Sequence, residues 1–255
     1  MTRPIFDSHF HIIDSRFPLV PNNGYLPPEF TPADYLRRVS DLGVAGGTVV
    51  SGSFQAFDHS YLTEALATLG PTFVGVANIA EDTSDEELNR LAVAGVRGVR
   101  FNLYRGGSAE TEDVLSLGLR VWDVAGMHAE FYLDANDLAE LEPIITKLPK
   151  ASIDHLGMTS SHRDILLRLA SRGVRVKASG FGRVQLDVAS TIQDIHNENP
   201  EALMFGTDLP STRARVPFQQ EDLELVADLL ADEANLALHD NGARFYGLNK
   251  LLPAS

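Results

Sequence analysis

Eight short β-type runs, separated by amphipathic stretches, constrain the fold of this 255-residue chain more than any other feature. The first run follows Pro4, and the others lie at 46–51, 72–79, 95–104, 129–135, 151–156, 174–180 and 202–208. Caps such as Ser84-x-x-Glu87 open several of the intervening stretches, and a glycine closes several of them. Strands that alternate with helices pair in parallel, so eight such units predict an α/β fold, a single (β/α)8 TIM barrel over residues 1–255.

An open doubly wound sheet is the alternative architecture for a chain of this pattern. Such sheets often bind a dinucleotide at a G-x-G-x-x-G turn that opens a helix. No such motif occurs in this sequence, so the closed barrel is the favoured prediction.

Composition excludes several kinds of partner and chemistry. Without cysteine, the chain has no disulfide, thiolate metal ligand or cysteine nucleophile. Its 21 basic and 35 acidic residues give a formal charge of −14, which makes nucleic acid and anionic membranes poor partners. No apolar run approaches the ~20 residues of a membrane span. We therefore expect a cytoplasmic protein, whose oligomeric state the sequence does not determine.

The first strand carries metal-capable side chains at alternate positions. Successive side chains of a strand point to opposite faces, so Asp7, His9 and His11 are expected to share one face. Phe6 and Phe10 fall on the other face. This strand is therefore expected to present one face of metal-capable side chains and one apolar face.

Catalytic groups of a (β/α)8 barrel come from the carboxyl ends of its strands. Side-chain alternation places these further polar residues inside the predicted barrel or at its mouth: Arg100, Asn102, Glu130, Tyr132, Lys177 and Asp208. On the sixth strand Asp154 and His155 are adjacent, and alternation does not allow both to point inward. Two alternatives stay open: Arg100 could pair with Glu130 or Asp208, and Lys177 could be a structural ion.

Several cations lie just beyond predicted strand ends. They are Arg105, Arg183, Arg213 and Arg215. Clustering of arginines at one rim of an acidic protein predicts a small anionic substrate. The proline-rich segment 14–30, after the first strand, is interpreted as a lid or pocket wall.

Six segments, in order, resemble the amidohydrolase superfamily, and more narrowly the amidohydrolase-2 branch that contains 2-pyrone-4,6-dicarboxylate lactonase and sugar lactonases. They are IFDSHFH, GVRGVRFNLY, SIDHLG, RVKASGFGR, FGTDLP and HDNGARFYGL, and they cover nearly the whole chain. The resemblance implies a hydrolase that opens the ring of a carboxylated lactone, such as 2-pyrone-4,6-dicarboxylate, or of a sugar-acid lactone. The alternative from the same superfamily is a metal-dependent decarboxylase acting on an aromatic or unsaturated acid.

The resemblance also implies roles for individual residues. Asp208 is the expected general base that takes a proton from water. The other expected catalytic residues, which would polarise the carbonyl and stabilise the oxyanion, are His9, His11 and His155. The expected substrate-binding residues are Arg100, Asn102, Arg105, Tyr132, Lys177 and Arg183.

The sequence leaves room for one metal ion at most. Members of the superfamily with two ions carry Lys or Glu on strand four and histidines on strands five and six. This chain offers Arg100 and Asn102 on strand four, Glu130 and Tyr132 on strand five, and a single histidine, His155, on strand six. The possible ligands of a single divalent ion such as Zn²⁺ are His9, His11, His155 and Asp208. We favour an enzyme that requires no cofactor, because Arg100 brings a positive charge close to that position.

Overall fold

The computed structural model describes residues 3–105 and 111–252. Its strands are β1 (Ile5–Phe10), β2 (Val44–Val50), β3 (Phe73–Ala77), β4 (Val96–Asn102), β5 (His128–Tyr132), β6 (Ala151–Ile153), β7 (Arg175–Ala178) and β8 (Leu203–Phe205). Each strand pairs in parallel with the next one in sequence. The predicted (β/α)8 TIM barrel is therefore confirmed.

The helices of the described chain lie between the strands and after the last one. They are α1 (Pro32–Arg38), α2 (Ser60–Leu69), α3 (Asp85–Val93), α4 (Thr111–Ala125), α5 (Leu138–Ile145), α6 (Arg163–Ser171), α7 (Val188–Glu198), α8 (Gln220–Leu230) and α9 (Asn241–Phe245). Local capping fixes several starts: Thr31 and Asp34 form a capping box at α1, and Ser84 accepts from the Glu87 amide at α3. Among these helices, none is both long and apolar enough to cross a membrane.

Two backbone hydrogen bonds join the first strand to the segment after the last strand. The Asp208 amide donates to the His9 carbonyl, and the His11 amide donates to the Leu209 carbonyl, both at 2.7 Å. These bonds lie at the carboxyl ends of β1 and β8. The closure of the barrel thus brings His9 and His11 beside Asp208.

The expectation that Asp7 shares a face with His9 is wrong. Opposite Gly47 and Val49 of β2, the β1 partners are Asp7 and Phe10, so β1 carries one extra residue in this interval. Such a bulge inverts the alternation of side chains.

Asp7 accordingly points toward the helices. Its carboxylate accepts from the Tyr35 hydroxyl of α1 at 3.0 Å, and the Phe10 ring stacks on Tyr35 with centroids 3.7 Å apart. The same carboxylate accepts from the amide of Thr207 at 2.8 Å and from its hydroxyl at 2.7 Å. Asp7 therefore fastens β1 to the end of β8 and contributes no ligand to the barrel interior.

The barrel interior changes from apolar to charged along its axis. At the amino-terminal end, Phe6 and Met204 pack with Phe245 and Tyr246 near the carboxyl end of the described chain. Above them lie the four charged residues that we call the buried ion cluster: Arg100, Glu130, Asp154 and Lys177. A second apolar layer fills the space between strands and helices. The charged layer thus forms the floor beneath the barrel mouth.

Candidate active site

A small cavity opens at the carboxyl ends of the strands. We call it the site cavity, and its lining residues are His11, Tyr25, Gly52, Ser53, Phe54, Arg100, Asn102, Arg105, Tyr132, His155, Arg183, Thr212 and Arg213. Tyr25 comes from the proline-rich segment, which is therefore confirmed as a pocket wall.

Three imidazoles face one carboxylate oxygen beside the site cavity. The distances to Asp208 Oδ1 are 3.8 Å from His9 Nε2, 3.7 Å from His11 Nε2 and 3.9 Å from His155 Nε2. All four side chains are buried. These separations exceed a direct hydrogen bond, so one small species could contact the four atoms together. The structure thus brings together the four residues that were expected to be catalytic.

Asp154 and His155 both point into the barrel, contrary to the expectation from alternation. Strand β6 ends at Ile153, and His155 and Leu156 adopt left-handed backbone conformations with φ of 50° and 54°. Alternation does not apply beyond the strand end. Asp208 is also past its strand, with φ of 58°. Irregular backbone therefore positions two of the candidate catalytic residues.

The second ring nitrogen of each imidazole also has a polar neighbour. His11 Nδ1 lies 2.7 Å from the Val50 carbonyl, and His155 Nδ1 lies 2.9 Å from Ser179 Oγ. Because a carbonyl only accepts, His11 carries a proton on Nδ1. Burial lowers the pKa of His155 to about 3 and holds the pKa of His9 well below its usual value. His9 and His155 are therefore neutral near pH 7.

Arg183 binds the oxygen of Asp208 that faces away from the imidazoles. Its Nε donates to Asp208 Oδ2 at 2.9 Å, and its terminal nitrogen also contacts this oxygen and the Thr212 carbonyl. Burial raises the pKa of Asp208, but the charge of Arg183 and the neighbouring His155 lower that pKa more, to well below its usual range. Asp208 is thus ionised, and its Oδ1 has no hydrogen-bond partner within the described chain.

The buried ion cluster lies under the imidazoles. Arg100 donates to Asp154 Oδ2 at 3.0 Å and 2.8 Å, whereas Glu130 Oε1 is 3.9 Å away. The partner of Arg100 is thus chiefly Asp154, which was not among the two partners considered from sequence. Arg100 still lines the site cavity, where its guanidinium lies 4.7 Å from the centre of the Tyr132 ring.

Lys177 does not line the site cavity. Its ammonium is fully buried, 2.6 Å from Glu130 Oε2 and 3.4 Å from Asp154 Oδ1. Two carboxylates therefore neutralise it below the imidazole layer. This placement corrects the expected substrate-binding role of Lys177 and matches the structural alternative.

Two arginines of the lining have no ion-pair partner among residues 3–105 and 111–252. Arg105 lies over the Tyr104 ring at 5.4 Å, and Arg213 lies over the Tyr25 ring at 4.6 Å and donates to the Asn22 carbonyl. Burial and the charge of Arg105 lower the pKa of Arg213. Two neighbouring cations without a carboxylate attract an anion.

Comparison with known proteins assigns the family. Residues 6–248 match the family model of amidohydrolases. The chain belongs to the amidohydrolase family. It is similar to 2-pyrone-4,6-dicarboxylate hydrolase of Comamonas testosteroni, with 27% identity over 233 residues that cover 80% of this chain and 76% of that protein.

Another relative of this amidohydrolase is the 4-sulfomuconolactone hydrolase of Hydrogenophaga intermedia. The two share 23% identity over 269 residues, 95% of this chain and 88% of the relative. The apo crystal structure of an Agrobacterium tumefaciens protein superposes with a TM-score of 0.83 at 23% identity, over 99% of this chain and 97% of the other. This structural likeness supports the barrel fold.

The donor atoms of this amidohydrolase suit a single divalent ion, but the neighbouring positive charges oppose one. Imidazole and carboxylate ligands of the right type are close together in two groups of described residues, one of His9, His11 and Asp208 and one of His9, Asp154 and His155. However, Arg183 occupies the other oxygen of Asp208, and Lys177 Nζ lies 3.3 Å from the other nitrogen of His9. An imidazole that ligates a metal donates its second N–H to an acceptor, and an ammonium cannot accept. Lys177 thus opposes ligation of an ion by His9, although Asp154 Oδ1 lies at the same distance from this nitrogen, and metal independence stays a prediction.

Sequence reasoning did not select Asp154 as a site residue, and it named Arg213 only as one of several cations at the rim. Asp154 was left undecided because strand alternation was applied past the end of β6. Arg213 lies five residues beyond Asp208 in an irregular segment, where no periodicity assigns a direction. The remaining expected binding residues, Asn102 and Tyr132, both line the site cavity.

Proposed function

We propose that this amidohydrolase opens the ring of a lactone that carries carboxylate groups, with water as the nucleophile. The observation that carries the proposal is the charge pattern of the site cavity. Four arginines line it, whereas no described lining residue carries a carboxylate. The similarity to two proteins named as hydrolases of acidic lactones supports the same substrate class.

Asp208 is the proposed general base. Its Oδ1 accepts a proton from water as the water oxygen attacks the lactone carbonyl carbon. Collapse of the tetrahedral intermediate breaks the bond between the carbonyl carbon and the ring oxygen. The proton on Asp208 then passes to that leaving oxygen, so the carboxylate is regenerated.

The imidazoles divide into two proposed tasks. His11 carries a proton on the Val50 side, and we assign its Nε2 as an acceptor. A water molecule that donates to both Asp208 Oδ1 and His11 Nε2 is held for attack. His9 and His155 are neutral, and we assign them to polarise the carbonyl and to stabilise the oxyanion.

Arg105 and Arg213 are the proposed carboxylate-binding residues. Neither has an internal carboxylate to neutralise it in the part of the chain that the structure describes, so a substrate carboxylate supplies the missing charge. Arg100 adds positive potential from the floor of the site cavity, although Asp154 already holds it. Arg183 is assigned to hold Asp208 in place of the substrate contact expected from sequence.

A substrate panel tests this function. Purified enzyme is supplied with 2-pyrone-4,6-dicarboxylate, its dimethyl ester and a neutral sugar lactone, and ring opening is followed by proton release. We expect turnover of the dicarboxylate with the highest kcat/KM, because only this compound offers anions to Arg105 and Arg213. Equal turnover of the neutral ester, or no turnover of any lactone, would contradict the proposal.

A further inference from the structure

Lys177 lies directly behind His9, on the side of the ring away from Asp208. Its Nζ is 3.3 Å from His9 Nδ1 with hydrogen-bond geometry, while His9 Nε2 is directed at Asp208 Oδ1, 3.8 Å away. Both Lys177 and His9 are fully buried. Water therefore does not compete for this contact.

The two polar neighbours of His9 Nδ1 require opposite tautomers of the ring. The ammonium of Lys177 has three donors and no acceptor, so it needs a bare Nδ1. Asp154 Oδ1, also at 3.3 Å, would need a proton on Nδ1. The contact of Nδ1 with Lys177 has hydrogen-bond geometry, whereas Asp154 Oδ1 interacts with His9 electrostatically without that geometry. The geometry at Nδ1 thus favours the tautomer that accepts from Lys177.

We propose that Lys177 is a positioning residue that holds neutral His9 with its proton on Nε2. In this state His9 is a hydrogen-bond donor toward the reacting oxygen. The same state removes the lone pair that a metal ion would need at Nε2. Lys177 thus disfavours metal binding at a site whose donor atoms would otherwise suit a metal ion.

The buried ion cluster keeps Lys177 in this position. Glu130 Oε2 binds Nζ at 2.6 Å, and the Tyr246 hydroxyl approaches the same oxygen at 3.5 Å. Arg100 holds the second oxygen of Asp154. The two carboxylates and two cations of the cluster balance in charge, so the lysine can remain buried as an ammonium.

Removing the ammonium of Lys177 is expected to allow His9 to adopt the other tautomer. In Lys177→Met, His9 Nδ1 can carry the proton and donate to Asp154, which leaves Nε2 free as a ligand beside His11, His155 and Asp208. We expect Zn²⁺ to bind this variant about 10- to 100-fold more tightly than the wild type, the usual effect of changing the group behind a ligating imidazole.

Two measurements that need no substrate test the proposal. Isothermal titration with Zn²⁺ compares the wild type, Lys177→Met and the control Lys150→Met, which removes a partly buried lysine at the other end of the barrel. Because Lys177→Met leaves Glu130 unpaired, the double variant Lys177→Met/Glu130→Gln repeats the test with the charge rebalanced. Nitrogen-15 NMR of labelled histidine reports the tautomer of His9 in the wild type directly.

The expected results are a proton on Nε2 of His9 in the wild type and tighter Zn²⁺ binding in either lysine variant, with no change in the control. A proton on Nδ1 in the wild type, or unchanged Zn²⁺ affinity in the folded lysine variants, would overturn the proposal. Because neither measurement uses a lactone, their outcome is separate from that of the proposed hydrolysis.

Discussion

The two oxygens of Asp208 have different surroundings, and its assigned role depends on this difference. Arg183 binds Oδ2, whereas Oδ1 faces three imidazoles without a hydrogen-bond partner in the described chain. The first oxygen fixes the orientation of the carboxylate. The second keeps its lone pairs for a water molecule.

Replacing Asp208 with asparagine is expected to lower kcat by about 10²- to 10⁴-fold, because the amide keeps the shape but cannot take a proton. Proton release during lactone opening measures the effect, and circular dichroism checks the fold. The control is Asp194→Asn, which alters a half-exposed surface partner of Arg163. A kcat close to that of the wild type would mean that another residue is the general base, with His155 the first candidate.

Replacing either Arg105 or Arg213 with methionine is expected to weaken binding of a carboxylated lactone. Loss of one hydrogen-bonded charge costs about 1.5 to 3 kcal/mol, or roughly 10- to 150-fold in kcat/KM. The same substitution at Arg97, which bonds to carbonyls at the amino-terminal end of β4, is the control. If the ratio of kcat/KM for the acid to kcat/KM for its neutral ester does not change, the two arginines do not bind the carboxylates of the substrate.

At the residue scale, the sequence predicted which side chains lie together better than how deep each lies in the barrel. The family resemblance correctly grouped His9, His11, His155 and Asp208. Lys177 was misplaced because alternation shows only that a side chain points inward and does not show its depth along the barrel axis. Two side chains that both point into the barrel can therefore differ in whether the substrate reaches them.

At the scale of elements, the sequence predicted all eight strands but not the irregularities that build the site. Predicted strand six extended to residue 156 and predicted strand eight to residue 208, whereas β6 ends at Ile153 and β8 at Phe205. Left-handed residues follow both strands. Local propensity does not encode these conformations, since neighbouring strands and loops impose them.

The Asp7 carboxylate provides a stability prediction for the junction of β1 and β8. Replacing Asp7 with alanine leaves the Tyr35 hydroxyl and the Thr207 amide without their buried acceptor. We expect the free energy of unfolding to fall by at least about 1 to 3 kcal/mol in urea denaturation. Asp85→Ala, which removes an exposed partner of Arg120, should cost no more than about 1 kcal/mol. Equal effects would mean that Asp7 does not fasten the barrel.

For the whole molecule, buried imidazoles predict how stability depends on pH. Burial lowers the pKa of His9, His128 and His155 below the ordinary value of 6.5. Below that pH the unfolded chain takes up protons at these residues and the folded chain does not, so the free energy of unfolding falls as pH falls. Each such proton contributes about 1.4 kcal/mol per pH unit.

One buried carboxylate opposes this trend. Burial raises the pKa of Asp7 to about 6, so the folded chain binds a proton there between that pH and the ordinary value of 3.8. The effect of the three imidazoles exceeds that of the single carboxylate, so the free energy of unfolding still falls as pH falls. Urea denaturation at pH 7.5 and pH 5 should therefore show lower stability at pH 5. Equal or greater stability at pH 5 would show that the imidazoles are not neutral in the folded protein.

The chain fold as a whole was the most predictable level, because alternation of strands and helices over 255 residues leaves few architectures. The mode of closure was less predictable. It depends on contacts between residues 7–11 and residues about 200 positions away, such as the bond from the Thr207 amide to the Asp7 carboxylate. Such long-range pairing has no signal in local periodicity.

Oxygen-18 labelling tests the central claim of water attack on a lactone most directly. The enzyme is supplied with 2-pyrone-4,6-dicarboxylate in oxygen-18 water, and the product is analysed by mass spectrometry. The account predicts a product equal to the substrate plus one water, with a single heavy oxygen in the new carboxylate. A product that has lost carbon dioxide, or one with the mass of the substrate and no heavy oxygen, would contradict it.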